Sequence, residues 1–266
     1  MISLAQRYRP VLSTPFGREG YREIAPCAAL EPFVRCFWSE NYTAAREILV
    51  IPDTCMDIIF KISEVSDIGD EGFFCALDDS SFYSVNSGAE LFGIRFYAWT
   101  ARLFSRRDFS KSGGGRFELG EFFDGAEELS RAVGCANSFE ERAAAAEKWL
   151  AERLCAVSPD NDLLNAVDLI IEKNGALNIA DLCMHTAVSA RTLERLFMRD
   201  IGASPKAFSS LVRYQLLWQD MLRPGFDVFD AAEKYGYSDQ PHLLNDFKRR
   251  HLMNPRQAVD YAKRRG

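Results

Sequence analysis

The polar side chains of residues 189–195 and 238–249 are of the types that hydrogen-bond to the edges of base pairs. Arginine pairs with guanine, and hydroxyl or amide groups pair with either purine. Any solvated helix can carry such residues, so their meaning depends on the elements that hold them. The candidate DNA-contacting residues are Ser189, Ala190, Arg191, Thr192, Glu194 and Arg195 in the first stretch, and Ser238, Asp239, Gln240, His242, Asn245, Lys248 and Arg249 in the second.

Both stretches belong to a pattern that occurs twice in the chain. The downstream half of the pattern recurs after 50 residues, as Leu193, Phe197 and Pro205 and again as Leu243, Phe247 and Pro255. The upstream half recurs after 49 residues, as Cys183, Ala187 and Ser189 and again as Ala232, Gly236 and Ser238. The second copy therefore has one extra residue in its turn. Two copies are too few to stack as a solenoid, and a pair of small helical units is the better interpretation.

Each copy has the features of a helix-turn-helix. A small residue in the first helix lets the second helix cross closely, and a second small residue forms the turn. We predict units at about residues 179–199 and 228–251, with Ser189 and Ser238 as the N-caps of the two exposed helices. Ser204-Pro205 begins a long helix to about Leu222 that spans about 27 Å. A spacer of that length suits two reading helices in successive major grooves, about 34 Å apart.

The charge distribution fits this placement. The net charge is −6 over the whole chain, but residues 1–158 carry −7 and residues 159–266 carry +1. Residues 247–266 contain seven basic residues against one acid, Asp260. A local basic surface matters more for phosphate binding than the charge of the whole chain, although a solvated charged tail is an equally good interpretation of charge alone.

The first half of the chain is predicted to be mostly β-strand between residues 21 and 96. Short apolar runs such as 48–51, 56–62, 72–77 and 90–96 are separated by Asp, Ser and Gly clusters. This spacing favours an antiparallel sandwich or barrel. Ser138 and Glu141 then form a capping box for a helix to about Cys155. The break at 156–161 predicts a domain boundary, with domains at residues 1–157 and 158–266.

Several classes of protein are excluded or disfavoured. No run of about 18 apolar residues and no signal peptide is found, and the seven cysteines are scattered, so we expect reduced thiols and a cytoplasmic protein. The three histidines all follow residue 180, which leaves the first domain without the usual metal ligand or catalytic base. We therefore predict no enzyme activity, no metal and no cofactor. The first domain is expected to sense a small molecule, to dimerise, or both.

The first domain is rich in aromatic residues, and a small barrel can hold one small ligand among such side chains. Core packing is the commoner role for any one of them. The candidate ligand-binding residues are Trp38, Phe60, Phe96 and Trp99.

Residues 160–264 resemble the AraC/XylS-type DNA-binding domain. The resemblance rests on 189–197 (SARTLERLF), 202–205 (GASP), 235–242 (YGYSDQPH), 247–250 (FKRR) and 254–255 (NP). It implies two helix-turn-helix units joined by a long helix, with double-stranded DNA as the partner, and RNA polymerase as a further partner if the protein is an activator. The chain departs from the family pattern at Cys183 and Ala187, where Ala and Gly are usual, at Leu243, which replaces an aromatic residue, and at His251-Leu252, which replaces Phe-Gly. Asn245-Asp246 occupies a stretch that is commonly more basic.

The first domain is similar to an uncharacterised N-terminal domain found in some of these regulators, through residues 30–38, 52–60 and 93–96. The similarity implies a cupin-like β-barrel with flanking helices, and so an α+β protein overall. The predicted function is a sequence-specific transcription regulator controlled by a small-molecule effector, with a homodimer as one expected state. The alternative is a DNA-repair enzyme fused to this type of DNA-binding domain. Such enzymes need clustered cysteines, and here no two cysteines are closer than about nine residues.

Overall fold

A computed structural model describes residues 4–15, 19–62, 72–77, 81–154 and 160–265. The first half is built mainly from strands: β1 (Tyr21–Ile24), β2 (Val34–Asn41), β3 (Arg46–Val50), β4 (Cys55–Ile62), β5 (Gly72–Cys75), β6 (Ser81–Val85), β7 (Glu90–Tyr97) and β8 (Arg116–Glu118). Helix α1 (Leu4–Arg7) precedes them, and α2 (Leu119–Phe122), α3 (Ala126–Gly134) and α4 (Phe139–Leu154) follow. The predicted strands and the helix beginning after Ser138 are therefore confirmed.

Six of the strands form one antiparallel sheet in the order β1-β2-β7-β4-β5-β8, and β3 and β6 form a separate antiparallel ribbon. The antiparallel sheet is as predicted. Within the described residues β1 and β8 do not pair, so the strand hydrogen bonds do not close a barrel. A cupin-like barrel therefore stays a prediction.

The two faces of the large sheet have different roles because successive side chains point to opposite sides of a strand. One face is apolar and buried against α2–α4, and it carries Ile58, Phe60, Phe74, Phe92, Ile94 and Phe96. Trp149 of α4 and Phe123 lie in the same core, with ring centroids 6.3 Å apart. The opposite face carries Trp38, Asp57, Ile59 and Arg95, and it faces a cavity rather than the core.

The second half is helical: α5 (Asn161–Glu172), α6 (Ile179–Thr186), α7 (Ala190–Asp200), α8 (Pro205–Met221), α9 (Val228–Lys234), α10 (Gln240–His251) and α11 (Pro255–Arg265). Helices α6–α7 and α9–α10 are the two predicted helix-turn-helix units, and α8 joins them. With 17 residues, α8 is about 26 Å long. Among helices of the described segments, none is both long and apolar enough to cross a bilayer.

The helix caps confirm one predicted N-cap and correct the other. Ser189 Oγ accepts a hydrogen bond from Thr192 N at 3.2 Å, as expected for the N-cap of α7. The prediction that Ser238 caps α10 is wrong, because the cap is Asp239, whose carboxylate accepts from His242 N at 2.7 Å. The extra residue of the second copy lies before the cap, so Ser189 corresponds to Asp239 at an offset of 50 rather than to Ser238 at 49.

Backbone conformation repeats along with the sequence. The turn residues Ala187 and Gly236, 49 apart, are both left-handed, with φ of 56° and 65°. Gly202 and Leu252, which follow the two exposed helices and are 50 apart, are also both left-handed, with φ of 74° and 57°. Ala187 and Leu252 are two of the positions where this chain departs from the family pattern. Both adopt a conformation that costs an L-residue with a side chain about 1–2 kcal/mol.

The two halves share their hydrophobic cores. One cluster runs from Tyr8 through the sheet to Phe208 and Val212 of α8. A second cluster contains Leu49 and Ile51 together with residues of α8–α11. The predicted boundary between residues 157 and 158 lies outside the described residues, and the two-domain division stays a prediction.

Candidate nucleic-acid interface and ligand cavity

Helix α7 exposes one polar face and buries the other. Leu193, Leu196 and Phe197 are buried, which fixes the rotation of the helix, and Arg191 and Arg195 are exposed one turn apart. Neither arginine forms an ion pair within the described part of the chain. Ala190 and Glu194 share the exposed face. The Thr192 hydroxyl lies 2.9 Å from Ser189 Oγ, so these two hydroxyls bind each other at the start of the helix.

Helix α10 presents a second exposed face. Leu243 and Phe247 are fully buried, while His242, Asn245, Lys248 and Arg249 are exposed and Gln240 is half-buried. Two other predicted contact residues are occupied locally: Asp239 caps the helix, and Ser238 Oγ lies 3.1 Å from His242 Nδ1. The structure thus places the predicted DNA-contacting residues on the exposed faces of α7 and α10 or just before their first turns, where the side chains of Ser189 and Asp239 act as caps.

Asp246, which stands where the family pattern is commonly more basic, is paired with other side chains of the domain. Tyr237 donates its hydroxyl to Asp246 Oδ2 at 3.0 Å, and Arg249 donates to Oδ1 at 2.5 Å. Arg250 Nε approaches the same Oδ1 at 3.4 Å. The Asp246 side chain is 9% exposed, so it fixes the turn and two cations rather than presenting a free negative charge.

His251 lies in an aromatic cage at the end of α10. Its ring is stacked on Phe247 with centroids 4.8 Å apart and lies 4.4 Å from the Trp218 ring. Its Nδ1 is 2.8 Å from the Tyr214 hydroxyl. Burial lowers the pKa of His251 from 6.5 to about 3, so the ring is neutral and belongs to the core rather than to the DNA-facing surface.

The sequence reasoning did not single out Lys206 as a contact residue. Lys206 is exposed in the first turn of α8, and Arg256 is exposed in the first turn of α11. The two helices have matching caps, in which Ser204 Oγ accepts from Ala207 N and Asn254 Oδ1 accepts from Gln257 N. Lys206 and Arg256 are 50 residues apart, which is the offset of the repeat, and this equivalence in the sequence could have identified Lys206.

A cavity of about 1080 Å³ lies in the first half, on the face of the large sheet that is turned away from its core. Its floor includes Ile59 and Phe73, and its wall includes Ile48, Val50 and Tyr83 of the β3–β6 ribbon. Trp38 lies over Gly93 of β7, where a Cβ would lie 2.0 Å from the indole. Trp38 Nε1 donates to Asp57 Oδ1 at 2.9 Å, and Asp57 also binds Arg95.

Of the four predicted ligand-binding residues, only Trp38 lines this cavity. Phe60 and Phe96 are fully buried on the opposite face of the sheet. Trp99 follows the end of β7 and packs against Tyr97 and Phe208, with centroids 4.9 Å and 6.2 Å away. The side chains of Phe60 and Phe96 therefore point into the core because of the alternation along their strands.

Comparison with known protein families gives two matches. Residues 182–260 match a helix-turn-helix domain family, and residues 22–114 match a domain of unknown function, DUF6597. The first match covers α7–α10, together with most of α6 and the start of α11. The chain carries an AraC/XylS-type DNA-binding domain. Domains of this type bind DNA in transcription regulators, and the first half of the chain matches a domain type without an assigned function.

Solved structures with a similar fold include three regulators, and no curated protein matches significantly. A transcriptional regulator with an AraC-type domain from Chromobacterium violaceum is 24% identical, covering 40% of this chain and 95% of its own, with a TM-score of 0.37. The C-terminal domain of AraT, a response regulator from Geobacillus stearothermophilus, is 19% identical over 38% and 85%, with a TM-score of 0.36. ToxT from Vibrio cholerae is 11% identical over 92% and 99%, with a TM-score of 0.43.

Proposed function

We propose that the AraC-type domain binds an asymmetric DNA site through α7 and α10, with α7 determining most of the base preference. The observation that carries this proposal is the exposed face of α7, where Arg191 and Arg195 have no partner within the described residues. Free guanidinium groups on a reading helix can form bidentate bonds with guanine. On α10, Arg249 is held by Asp246, which leaves Gln240, His242 and Asn245 as weaker readers.

Phosphate contacts would come from cations around the two reading helices. Lys248 and Arg249 are exposed on α10, and Lys206 and Arg256 lie in the first turns of the helices that follow α7 and α10. Helix N-termini favour anions through their free N–H groups and dipole. Such contacts fix the register of a protein on DNA without reading its sequence.

The test is selection of bound fragments from a random DNA pool by the full chain, followed by footprinting of the selected site. We expect two protected major-groove segments centred about 10–10.5 base pairs apart on one face of the duplex. A single protected segment, or selected DNA without a common sequence, would contradict this use of the two helices.

We further propose that occupancy of the cavity controls the DNA-binding domain. The support is that the cavity wall is also a contact surface of that domain. Leu49 and Ile51 line the cavity and pack in one cluster with α8–α11. Leu49 N donates to the Tyr261 hydroxyl of α11 at 3.2 Å. Leu12, another wall residue, accepts a hydrogen bond from Trp218 Nε1 at 3.0 Å through its carbonyl.

A cavity-filling variant tests this control without knowledge of the effector. Ile59→Trp places a large side chain in the cavity from its floor, and Tyr261→Phe removes the acceptor on α11. We expect Ile59→Trp to change the DNA dissociation constant by about 5-fold or more, the lower end of ordinary coupling energies. The fold-change in the DNA dissociation constant that Ile59→Trp causes should be smaller when Tyr261→Phe is also present. Equal DNA affinity of the wild type and a folded Ile59→Trp variant would count against control through this cavity.

A further inference from the structure

The acidic residues that line the cavity differ in how they are neutralised. Glu40 pairs with Arg46 at 3.1 Å, Asp57 pairs with Arg95 at 3.0 Å, and Glu90 pairs with Arg142. Asp53 also lines the cavity, but among the described residues no cation lies within ion-pair distance of its carboxylate. Of the four cavity acids in the described part of the chain, three form an ion pair with an arginine and Asp53 does not.

The position of Asp53 is fixed by the backbone around it. Its Oδ1 accepts from Cys55 N at 2.7 Å, which orients the carboxyl group just before β4. The carbonyl of the preceding residue, Pro52, accepts from Gln215 Nε2 of α8 at 2.9 Å. Burial raises the pKa of Asp53 above its ordinary value, although the charge of Arg95 and the bond from Cys55 N act in the opposite direction. A cation bound directly beside Asp53 would offset the remaining free-energy cost of burying the charged carboxylate.

The rest of the cavity offers apolar surface next to this acid. Ile59 and Phe73 are register partners on neighbouring strands and form the middle of the floor. Ile48 and Tyr83 are register partners in the ribbon on the other side. A ligand that fills this space needs an apolar or aromatic body. Two cations also line the cavity among the described residues: Lys61 lies on β4, and Arg116 of β8 lies over the Phe73 ring, with its guanidinium carbon 3.8 Å from the ring centroid.

We propose that the cavity binds an organic cation, with a protonated amine at Asp53 and an apolar or aromatic body between the large sheet and the ribbon. This inference rests on the proposed effector role of the cavity and adds the chemical class of the effector. Because the Asp53 loop is hydrogen-bonded to α8 through Pro52 and Gln215, the charged end of the ligand lies beside the helix that joins the two reading units.

The test uses three indole compounds of similar size and different charge: tryptamine, tryptophol and indole-3-propionate. Dissociation constants are measured by calorimetry on the full chain at neutral pH. We expect tryptamine to bind at least about 10-fold more tightly than the other two, since a charge-assisted bond to a half-buried carboxylate is worth about 10- to 100-fold. Equal binding of tryptamine and tryptophol, tighter binding of indole-3-propionate, or no tryptamine binding would overturn the proposal.

Two variants test whether the preference for the amine depends on Asp53. Asp53→Asn removes the charge and keeps an oxygen that can accept from Cys55 N, so the loop is preserved, and tryptamine binding should fall by about 10- to 100-fold. Glu47→Gln removes an exposed acid of β3 that does not line the cavity, and it should leave tryptamine binding unchanged. Unaltered amine preference in Asp53→Asn would refute the assignment.

Measuring DNA affinity with and without tryptamine, and in the Ile59→Trp variant, separates this inference from the proposed function. If tryptamine binds through Asp53 but leaves the DNA dissociation constant unchanged, the ligand class holds and effector control fails. If tryptamine does not bind while Ile59→Trp alters DNA affinity, effector control holds and the ligand class is wrong.

Discussion

The buried neutral His251 makes the second helix-turn-helix unit sensitive to acid. The folded state holds its pKa at about 3 through burial, while in the unfolded chain the value is about 6.5. As the pH falls below about 6.5, the unfolded chain takes up a proton that the folded chain does not, so stability decreases from about pH 6.5 toward the folded pKa.

The magnitude follows from linkage. Between pH 7 and pH 5 this one histidine is expected to lower the free energy of unfolding by about 2 kcal/mol. Since pH 5 is well above the folded pKa of about 3, the result depends mainly on the unfolded value. The assay is urea unfolding at both pH values, followed by tryptophan fluorescence, to which Trp218 contributes with its ring 4.4 Å from that of the histidine.

The comparison is with the double variant Tyr214→Phe/His251→Phe. It removes both members of the buried hydrogen bond, so neither is left without a partner, and phenylalanine is the family's usual residue at position 251. The other ionisable groups are unchanged, so the difference between the two pH dependences isolates His251. Tyr214→Phe alone retains the histidine and should retain the wild-type pH dependence. Identical pH dependence in the wild type and the double variant would refute the reasoning.

Three further predictions concern the backbone, the contact between the halves and the DNA interface. Leu252→Gly should raise stability by about 1 kcal/mol because it relieves a left-handed residue, whereas Ala207→Gly in exposed helix should lower it by a similar amount; thermal unfolding measures both, and a less stable Leu252→Gly would contradict the strain. Gln215→Ala should cost about 2 kcal/mol in urea unfolding because buried Gln215 satisfies two backbone groups of the first half. Gln219→Ala, which loses one exposed hydrogen bond, should lower the free energy of unfolding much less. Equal losses of stability in the two variants would contradict the role of Gln215 in joining the halves. Lys248→Ala should reduce the slope of log affinity against log salt by about 1 without changing the preferred sequence, and an altered preference would show that it reads bases.

The helical half could be predicted from the sequence because its signals are local. The capping Ser189 and Ser204, the apolar spacing and the repeat itself fix helices whose bounds the structure confirms. The exception at Ser238 arose because the extra residue was placed after the cap rather than before it. The repeat was measured from residues on either side of the turn, and neither side shows where within the turn the insertion lies.

The cavity could not be predicted to the same depth, because its position depends on contacts between distant residues. Alternation along a strand shows which side chains share a face, but it does not show which face of β4 and β7 packs against helices. Phe60 and Phe96 were therefore as good as Trp38 as candidates. The packing of the two halves into shared cores could not be predicted from the sequence either, since Leu49 contacts α11 across 212 residues of sequence.

The most direct test of the account is the base preference of the full chain with and without the α7 arginines. DNA selected from a random pool by the wild type is compared with DNA selected by Arg191→Ala and by Arg195→Ala, with folding checked by circular dichroism. The account predicts that each variant stays folded and loses preference at bases of one half of the site, while the other half is retained. An unchanged selected sequence in both folded variants would contradict recognition by α7.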